Sequence, residues 1–386
     1  MTGTKKSVRV FALAGVAALA LSACGTTGSN NSSDNAGGGS SSDKCGFKIG
    51  YLGAETGPNA NLGVNMVDGI KTALAAYNTA HSDCKVTLEA EDSQGDASQA
   101  TSLATKLIDD PKVLGVVGPG FSGESAATGP AFFQAGLVTV SASATDPTLT
   151  TKGWTTFHRV VANDAAQGPA AAKYLTDNGA KKVFVVDDSE SYGTGLADSV
   201  AKALGPALVK RDSFENTKIA DVLSGLVTKI KGSGADAVFV GGYYADSGLL
   251  AKALRQAGWK GTFSSGDGSE DPGFIKTAGN EGAEGAVLTA AAAPASADFT
   301  KKFAAANNGA KVGLYSTEAY DAANVLLDGI AGGATTRADL LKAVSAYDKD
   351  GITKHIKFTP TGEVTEQTIY AYVVKNGQIQ PGTPIK

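Results

Sequence analysis

The chain has 386 residues, with 34 Lys and Arg against 38 Asp and Glu, a net charge of −4 at pH 7 and 42% hydrophobic residues. That length is enough for two sizeable cores. The basic residues are scattered, which argues against nucleic acid as a partner, and beyond the N-terminus no segment is long and apolar enough to cross a membrane.

The first element is not part of the fold. Lys5, Lys6 and Arg9 precede an apolar, Ala-rich run from Val10 to Leu21, then Leu21-Ser22-Ala23-Cys24. This order predicts an export signal over 1–23, too short to span a bilayer. Its three cations and no acid take the net charge from −4 to −7 on removal. An ordinary cleavage site with an incidental cysteine is one reading. The order Leu-Ser-Ala-Cys resembles the lipobox of bacterial lipoproteins, which implies a diacylglycerol thioether on Cys24 and a membrane-anchored, extracytoplasmic protein. Residues 24–44 are then the lipidated cysteine and a Gly/Ser-rich tether that cannot build a core, with a reach of roughly 25 Å.

Cys45 and Cys84 each stand just before an expected strand. Export places them where disulfides persist, so a bridge is expected, with two free thiols as the alternative.

From residue 46 apolar strands alternate with helical stretches. Strand 47–53 leads to a helix over 62–78, then strand 85–91, helix 96–109, strand 113–117, helix 124–134 and strand 137–140. The rhythm pauses at 147–163 and resumes. KKVFVVDD, PALVKRD, ADAVFVGG and GTFSSGD read as strands, with helices GTGLADSVAKAL, IADVLSGLVTKIK and GLLAKALRQAG between them. Val- and Ile-rich strands separated by helices indicate parallel sheets covered on both faces, and two such series indicate an α/β protein of two doubly wound lobes. In the tail, STEAYDAANVLLDGI and ADLLKAVSAY read as helices and 355–379 as β.

Small molecules bind beyond the carboxyl ends of the strands in open parallel sheets. In the first series these ends carry Ser122 at a helix start, then Ser141, Ser143 and Thr145. Hydroxyls and free amides at a helix N-terminus suit a carboxylate. In the second series they carry Tyr192, Tyr243, Tyr244 and Asp267, which suit an ammonium group and an apolar side chain. A molecule with both charges, an α-amino acid, could bridge the two halves. Each residue also has a plainer reading: Ser122 as an N-cap, Asp267 as an exposed turn residue, Tyr192 and Tyr243 as half-buried packing.

The stretches GAETGPNANLGVNMVDGIKTAL, VVGPGFSGESAATGPAF, GLVTVSASATDPTLT, DDSESYGTGLA, VFVGGYYADSGLLAKALRQAG, EGAEGAVLTA and YDAANVLLDGI resemble, in order, the branched-chain amino acid type of periplasmic-binding-protein-like solute receptors of ABC importers. The resemblance covers the chain from about Lys48 onward. It implies lobes at 45–161 plus 290–368 and at 162–289 plus 369–386, joined by three crossing segments, with ligand bound in a cleft that closes by a hinge. It implies a transporter permease as partner and no cofactor. Ser122 is then a carboxylate ligand, Thr145 serves carboxylate and ammonium, and Ser143 offers its backbone carbonyl to the ammonium. Tyr192 and Tyr243 are cleft aromatics, and Asp267 is the acid that pairs with the ammonium. Leu62 replaces an aromatic, and Asp267 is shorter than the glutamate of leucine-type receptors. Both departures leave the side-chain preference open to amides, aromatic acids or other small carboxylates.

Two enzyme readings compete. GPGFSG fits GxGxxG through Gly118, Gly120 and Gly123, but the next strand ends in Ser141 rather than in an acid for a ribose. GFSGE misses the GxSxG elbow at Glu124, and none of His81, His158 or His355 is placed by sequence to serve Ser122. No His, Cys and acid cluster has metal-ligand spacing. Neither a catalytic constellation nor a fused output domain is expected, which favours a separate transport component over a sensor.

Overall fold

A computed structural model of the chain describes residues 46–386. The expected signal peptide (1–23), Cys24 with its tether (24–44) and Cys45 lie outside those residues.

The first lobe begins with β1 (Lys48–Gly53), α1 (Ala60–Ala80), β2 (Thr87–Asp92), α2 (Ala97–Asp109), β3 (Val113–Val117), α3 (Ser122–Gln134), β4 (Val138–Ser141) and β5 (Phe157–Arg159). These strands form a parallel sheet in the order β2-β1-β3-β4-β5. The second lobe comprises α4 (Asp164–Asp177), β6 (Val183–Asp187), α5 (Ser191–Leu204), β7 (Leu208–Ser213), α6 (Ile219–Gly232), β8 (Ala237–Gly241), α7 (Tyr244–Gln256), β9 (Thr262–Ser265), α8 (Pro272–Ala283) and β10 (Val287–Ala290). Its sheet repeats the same order, β7-β6-β8-β9-β10. In both lobes the order reverses beside the first strand of the series, and that switch point opens a crevice at the strand carboxyl ends.

The chain then returns. Helices α9 (Ala297–Ala306), α10 (Ser316–Ala331) and α11 (Arg337–Ser345) pack on α1, β3 and β4 of the first lobe. A short hairpin, β11 (Asp348–Asp350) and β12 (His355–Lys357), follows. Then β13 (Tyr370–Lys375) crosses back and pairs antiparallel with β10, joined by β14 (Gln378–Ile379) and β15 (Thr383–Pro384). The lobes are thus connected at 160–163, 291–296 and 365–369. The second sheet is mixed at this edge rather than wholly parallel.

The apolar stripe of α1, with Leu62, Met66, Ile70 and Leu74 four residues apart, buries one helix face. It lies against α10, which is buried on nearly every side. The two helices approach so closely that a Cβ on Gly69 would stand 2.3 Å from the Ser316 carbonyl oxygen, so only glycine fits there. The helix α4 was not among the expected elements. Its interior holds Gly168-Pro169, which reads as a break, yet Asn163 caps it by accepting from the Ala165 amide and the Pro sits where the chain stays helical.

Candidate functional site

The two crevices face each other across a closed cleft. The loop after β3 turns sharply at 118–121, and Glu124 braces it. This buried carboxyl accepts from the Phe121 amide at 3.1 Å and from the Ser93 hydroxyl. Burial pushes it up to about 8, against the pull of those donors. Ser122 is therefore the first residue inside α3 and not its cap, since Phe121 holds the cap position. Its Oγ accepts from the Asp146 amide at 3.1 Å, which leaves its own proton free to donate.

The loop after β4 carries Ser143, whose hydroxyl donates to the Gly120 carbonyl at 2.5 Å and touches Met66 Sδ at 3.1 Å. Arg159, fully buried, holds this loop from behind. Its Nη1 donates to the Ala144 and Asp146 carbonyls at 2.7 and 2.9 Å, and its Nε and Nη2 form a fork on Glu363.

On the opposite wall Asp267, 2% exposed, is the central acid. It accepts from Gln167 Nε2 at 2.7 Å, from the Tyr192 hydroxyl at 2.8 Å and from the Tyr315 hydroxyl. Burial raises this carboxyl above its ordinary range, and those donors partly offset the rise. The Tyr192 hydroxyl in turn accepts from the Gly268 amide at 2.9 Å. The rings of Tyr192 and Tyr243 lie 5.3 Å apart, and Phe121 of the first lobe meets Tyr243 edge-on at 5.3 Å.

Between these walls lies a cavity of about 10 Å³, room for roughly one water. Ser122, Ser143, Tyr192, Tyr243 and Asp267 all line it, so five of the six residues to which the resemblance gave ligand roles converge, while Ser141 and Tyr244, also at strand ends, do not line it. Thr145 does not line it. It is fully buried, facing the Asp164 carboxyl without forming a well-aligned hydrogen bond. Neither plain reading of the acid or the tyrosines describes the structure, because Asp267 is buried and both rings face the cavity.

Several residues escaped the sequence reading. Met66 on α1 lines the cavity, as do Phe121 and Tyr315, beside Leu62, which the resemblance had already placed in an aromatic's position. Asp164, at the start of α4, is fully buried with neither carboxylate oxygen hydrogen-bonded. Burial, followed by the nearby Asp267 charge, pushes it well above the carboxylate range. An unpaired buried charge is costly, so a buried acid beside Asp267, behind the cavity lining, makes the Asp267 side of the cavity favourable to a cation.

The histidines take no part. His158 is buried edge-on to Phe358, and burial pushes it down to about 4. His355 is exposed between Asp348 and Asp350. Cys84 is disulfide-bonded; Cys45, its expected partner, lies outside the described residues.

The lobes also touch away from the cavity. Ser191 Oγ donates to Asp146 Oδ2 at 2.8 Å, and Asn61 Nδ2 to Asp271 Oδ1 at 2.9 Å.

Two doubly wound lobes closed on a small, polar-lined cavity at facing switch points define a receptor for a small solute. The chain belongs to the periplasmic binding protein family, whose model matches residues 46–378. It is 31% identical over 344 residues to the Leu/Ile/Val-binding protein BraC3 of Rhizobium johnstonii, a match covering 86% of this chain and 92% of that one. It is 32% identical over 251 residues to an amino acid binding protein of Pseudomonas aeruginosa, covering 64% and 67%. Among solved structures it superposes on the branched-chain amino acid transporter substrate-binding protein LivJ of Streptococcus pneumoniae, bound to isoleucine, with a TM-score of 0.82 and 26% identity, over 88% of this chain and 99% of that one. The leucine-binding protein LivK of Thermotoga maritima gives a TM-score of 0.78 at 26% identity over 88% and 98%. The expected fold and solute-binding role are thereby established.

Proposed function

We propose that this chain captures an α-amino acid with an apolar side chain outside the cytoplasm and delivers it to the permease of an ABC importer. The observation that carries the reading is the opposition of Asp267 on the second lobe to Ser122 on the first across one closed cavity. The ligand carboxylate docks at Ser122 and the amides opening α3, where the helix dipole favours an anion. The ammonium faces Asp267, with Asp164 behind it. Leu62, Met66, Phe121 and the tyrosine rings surround the side chain.

The cavity is far smaller than an amino acid, so the lobes part to admit ligand and close on it. Closure is favoured only by the ligand's better contacts in the closed form. Micromolar affinity corresponds to about −8 kcal/mol, which a few charge-assisted hydrogen bonds and buried apolar area can supply. The named ligands of BraC3 and LivJ support this class, while Leu62 and the shorter Asp267 distinguish this site. The lobes proposed at 45–161 plus 290–368 and at 162–289 plus 369–386 move as the two halves of the trap, and a lipid on Cys24 holds it at the outer membrane face.

Calorimetry of ligand-stripped protein against the L-α-amino acids tests the reading. Binding of one or more apolar amino acids, weakened about tenfold or more in Asp267→Ala, supports it. Binding of simple carboxylates without an amine, unaffected by Asp267→Ala, overturns the amino acid assignment.

A further inference from the structure

Tyr315 stands at the N-cap of α10 in a left-handed backbone conformation, φ 66°, which a bulky residue rarely adopts. Such a conformation persists where the surroundings impose it. Here the residue is 3% exposed, and its hydroxyl reaches across the cleft to the Asp267 carboxylate. Its position is notable for what lies on its other side. Tyr315 lines the closed cavity, and it also lines a groove of about 790 Å³ on the flank of the molecule, walled by Glu270, Leu314, Thr317, Tyr372, Gln378 and Pro381 among others. Among the described residues it is the one common to both linings. Tyr315 is therefore the residue that stands between a space of one water and a space that could take a substituent of several atoms.

The partition has a definite orientation relative to the ligand. The hydroxyl sits on the same carboxylate that faces the ammonium, so the groove begins behind the amine end and not behind the carboxylate or the side chain. Leu62, Met66 and Phe121 bound the cavity elsewhere.

We propose that Tyr315 is the specificity-determining wall on the amine side of the site, which restricts the receptor to ligands with a small amine and excludes N-alkylated ones that would otherwise extend into the groove. This rests on the amino acid reading above. A primary ammonium can meet the Asp267 carboxylate beside the Tyr315 hydroxyl without extending past the ring. A longer N-substituent meets the ring, which is 3% exposed and held by its packing as well as by its hydroxyl's bond to Asp267, so it has little room to turn aside. The forced repacking of a closed interior costs about 1–3 kcal/mol, or roughly five- to 150-fold in affinity.

The left-handed backbone also selects the variant. Glycine adopts φ 66° without strain, so Tyr315→Gly removes the wall and keeps the fold, while Tyr315→Phe keeps the ring and loses the hydroxyl. Calorimetry is first run on the wild type with the L-α-amino acids, then on all three proteins with the best binder and its N-methyl and N-butyl derivatives, both of which keep the positive charge. The wild type should disfavour the N-butyl form relative to its parent by on the order of 100-fold, and Tyr315→Gly should narrow that gap to about tenfold or less. Tyr315→Phe should still exclude it. If no amino acid binds the wild type, the amino acid reading falls and the wall with it. If the amino acid binds but the N-butyl form binds wild type and Tyr315→Gly equally, or neither, the wall alone is refuted. Melting curves of the three proteins show whether a loss of binding is a loss of folding; should Tyr315→Gly not fold, Tyr315→Asn, which also tolerates a left-handed backbone, takes its place, a narrowed gap supporting the wall and an unchanged gap refuting it, and admission of the N-butyl form by Tyr315→Phe overturns the wall in either case.

Discussion

Ser191 at the start of α5 donates its hydroxyl to the Asp146 carboxylate at 2.8 Å, and the two residues belong to different lobes. Asp146 also gives its amide to Ser122 Oγ at 3.1 Å and its carbonyl to Arg159 at 2.9 Å. A contact that exists only when the lobes meet is thus wired directly to the residue assigned to the ligand carboxylate.

This bond stabilises the closed form without touching ligand. Ser191→Ala is expected to weaken ligand affinity by about three- to tenfold while leaving the melting temperature of the stripped protein nearly unchanged. Fluorescence energy transfer between dyes on the two lobes should report a smaller closed fraction at equal ligand concentration. An affinity equal to wild type would mean that the contact is incidental to closure.

Arg159 is the largest fully buried side chain, and its fork on Glu363 ties the ligand loop after β4 to the tail segment. Arg159→Met takes the donor from two carbonyls and the ion-pair partner from Glu363, which keeps the Thr150 hydroxyl. The expected loss is about 3 kcal/mol or more in chemical denaturation, part of it restored when Glu363→Gln is added. Equal losses in the single and double variants would show that packing, not the ion pair, accounts for the effect.

Glu124 gives a pH signature. Its carboxyl sits at about 8 in the folded protein, against an ordinary value of 4.5. Between those limits the folded form keeps a proton that the unfolded chain has released, so this group's contribution to stability is present at low pH and is lost as pH rises through 8. Glu124→Gln lacks that dependence. Its melting temperature relative to wild type should therefore climb from pH about 5 to pH about 8, by on the order of 5 °C. A difference that stays flat across the window would place an ionised Glu124 in the fold.

The cysteines separate by assay. Cys24→Ser is expected to move the protein from the membrane fraction to the medium, and its retention with lipid would rule out the anchor. In the exported wild type, thiol titration under denaturing, non-reducing conditions should find Cys45 and Cys84 unreactive; two titratable thiols would exclude their pairing.

The strand ends were legible because the pattern of apolar runs fixes where each strand stops, and chemistry concentrates just beyond. Ser122, Ser143, Tyr192, Tyr243 and Asp267 were found that way. What stayed hidden has local causes. Asp164 and Gln167 lie on α4, whose Gly168-Pro169 reads as an interruption. Met66 was indistinguishable from the other apolar residues of the α1 stripe. Tyr315 reaches the site from a loop 48 residues beyond Asp267, by a crossing whose destination no local pattern declares. Thr145, carried over by motif, faces Asp164 and does not line the closed cavity.

The return path of the chain bears on its synthesis. Strand β10 has its outer edge covered only by β13, at residues 370–375, and α1 has its apolar face covered by α10, at 316–331. A growing polypeptide therefore cannot cover the α1 face until 316–331 emerge nor the β10 edge until 370–375 emerge, and in the interval it exposes an unpaired strand edge and a bare helix face, both adhesive surfaces. For a polypeptide moved across a membrane before it folds, that late completion keeps the chain threadable, and it predicts that loss of the 370–375 strand leaves the β10 edge bare.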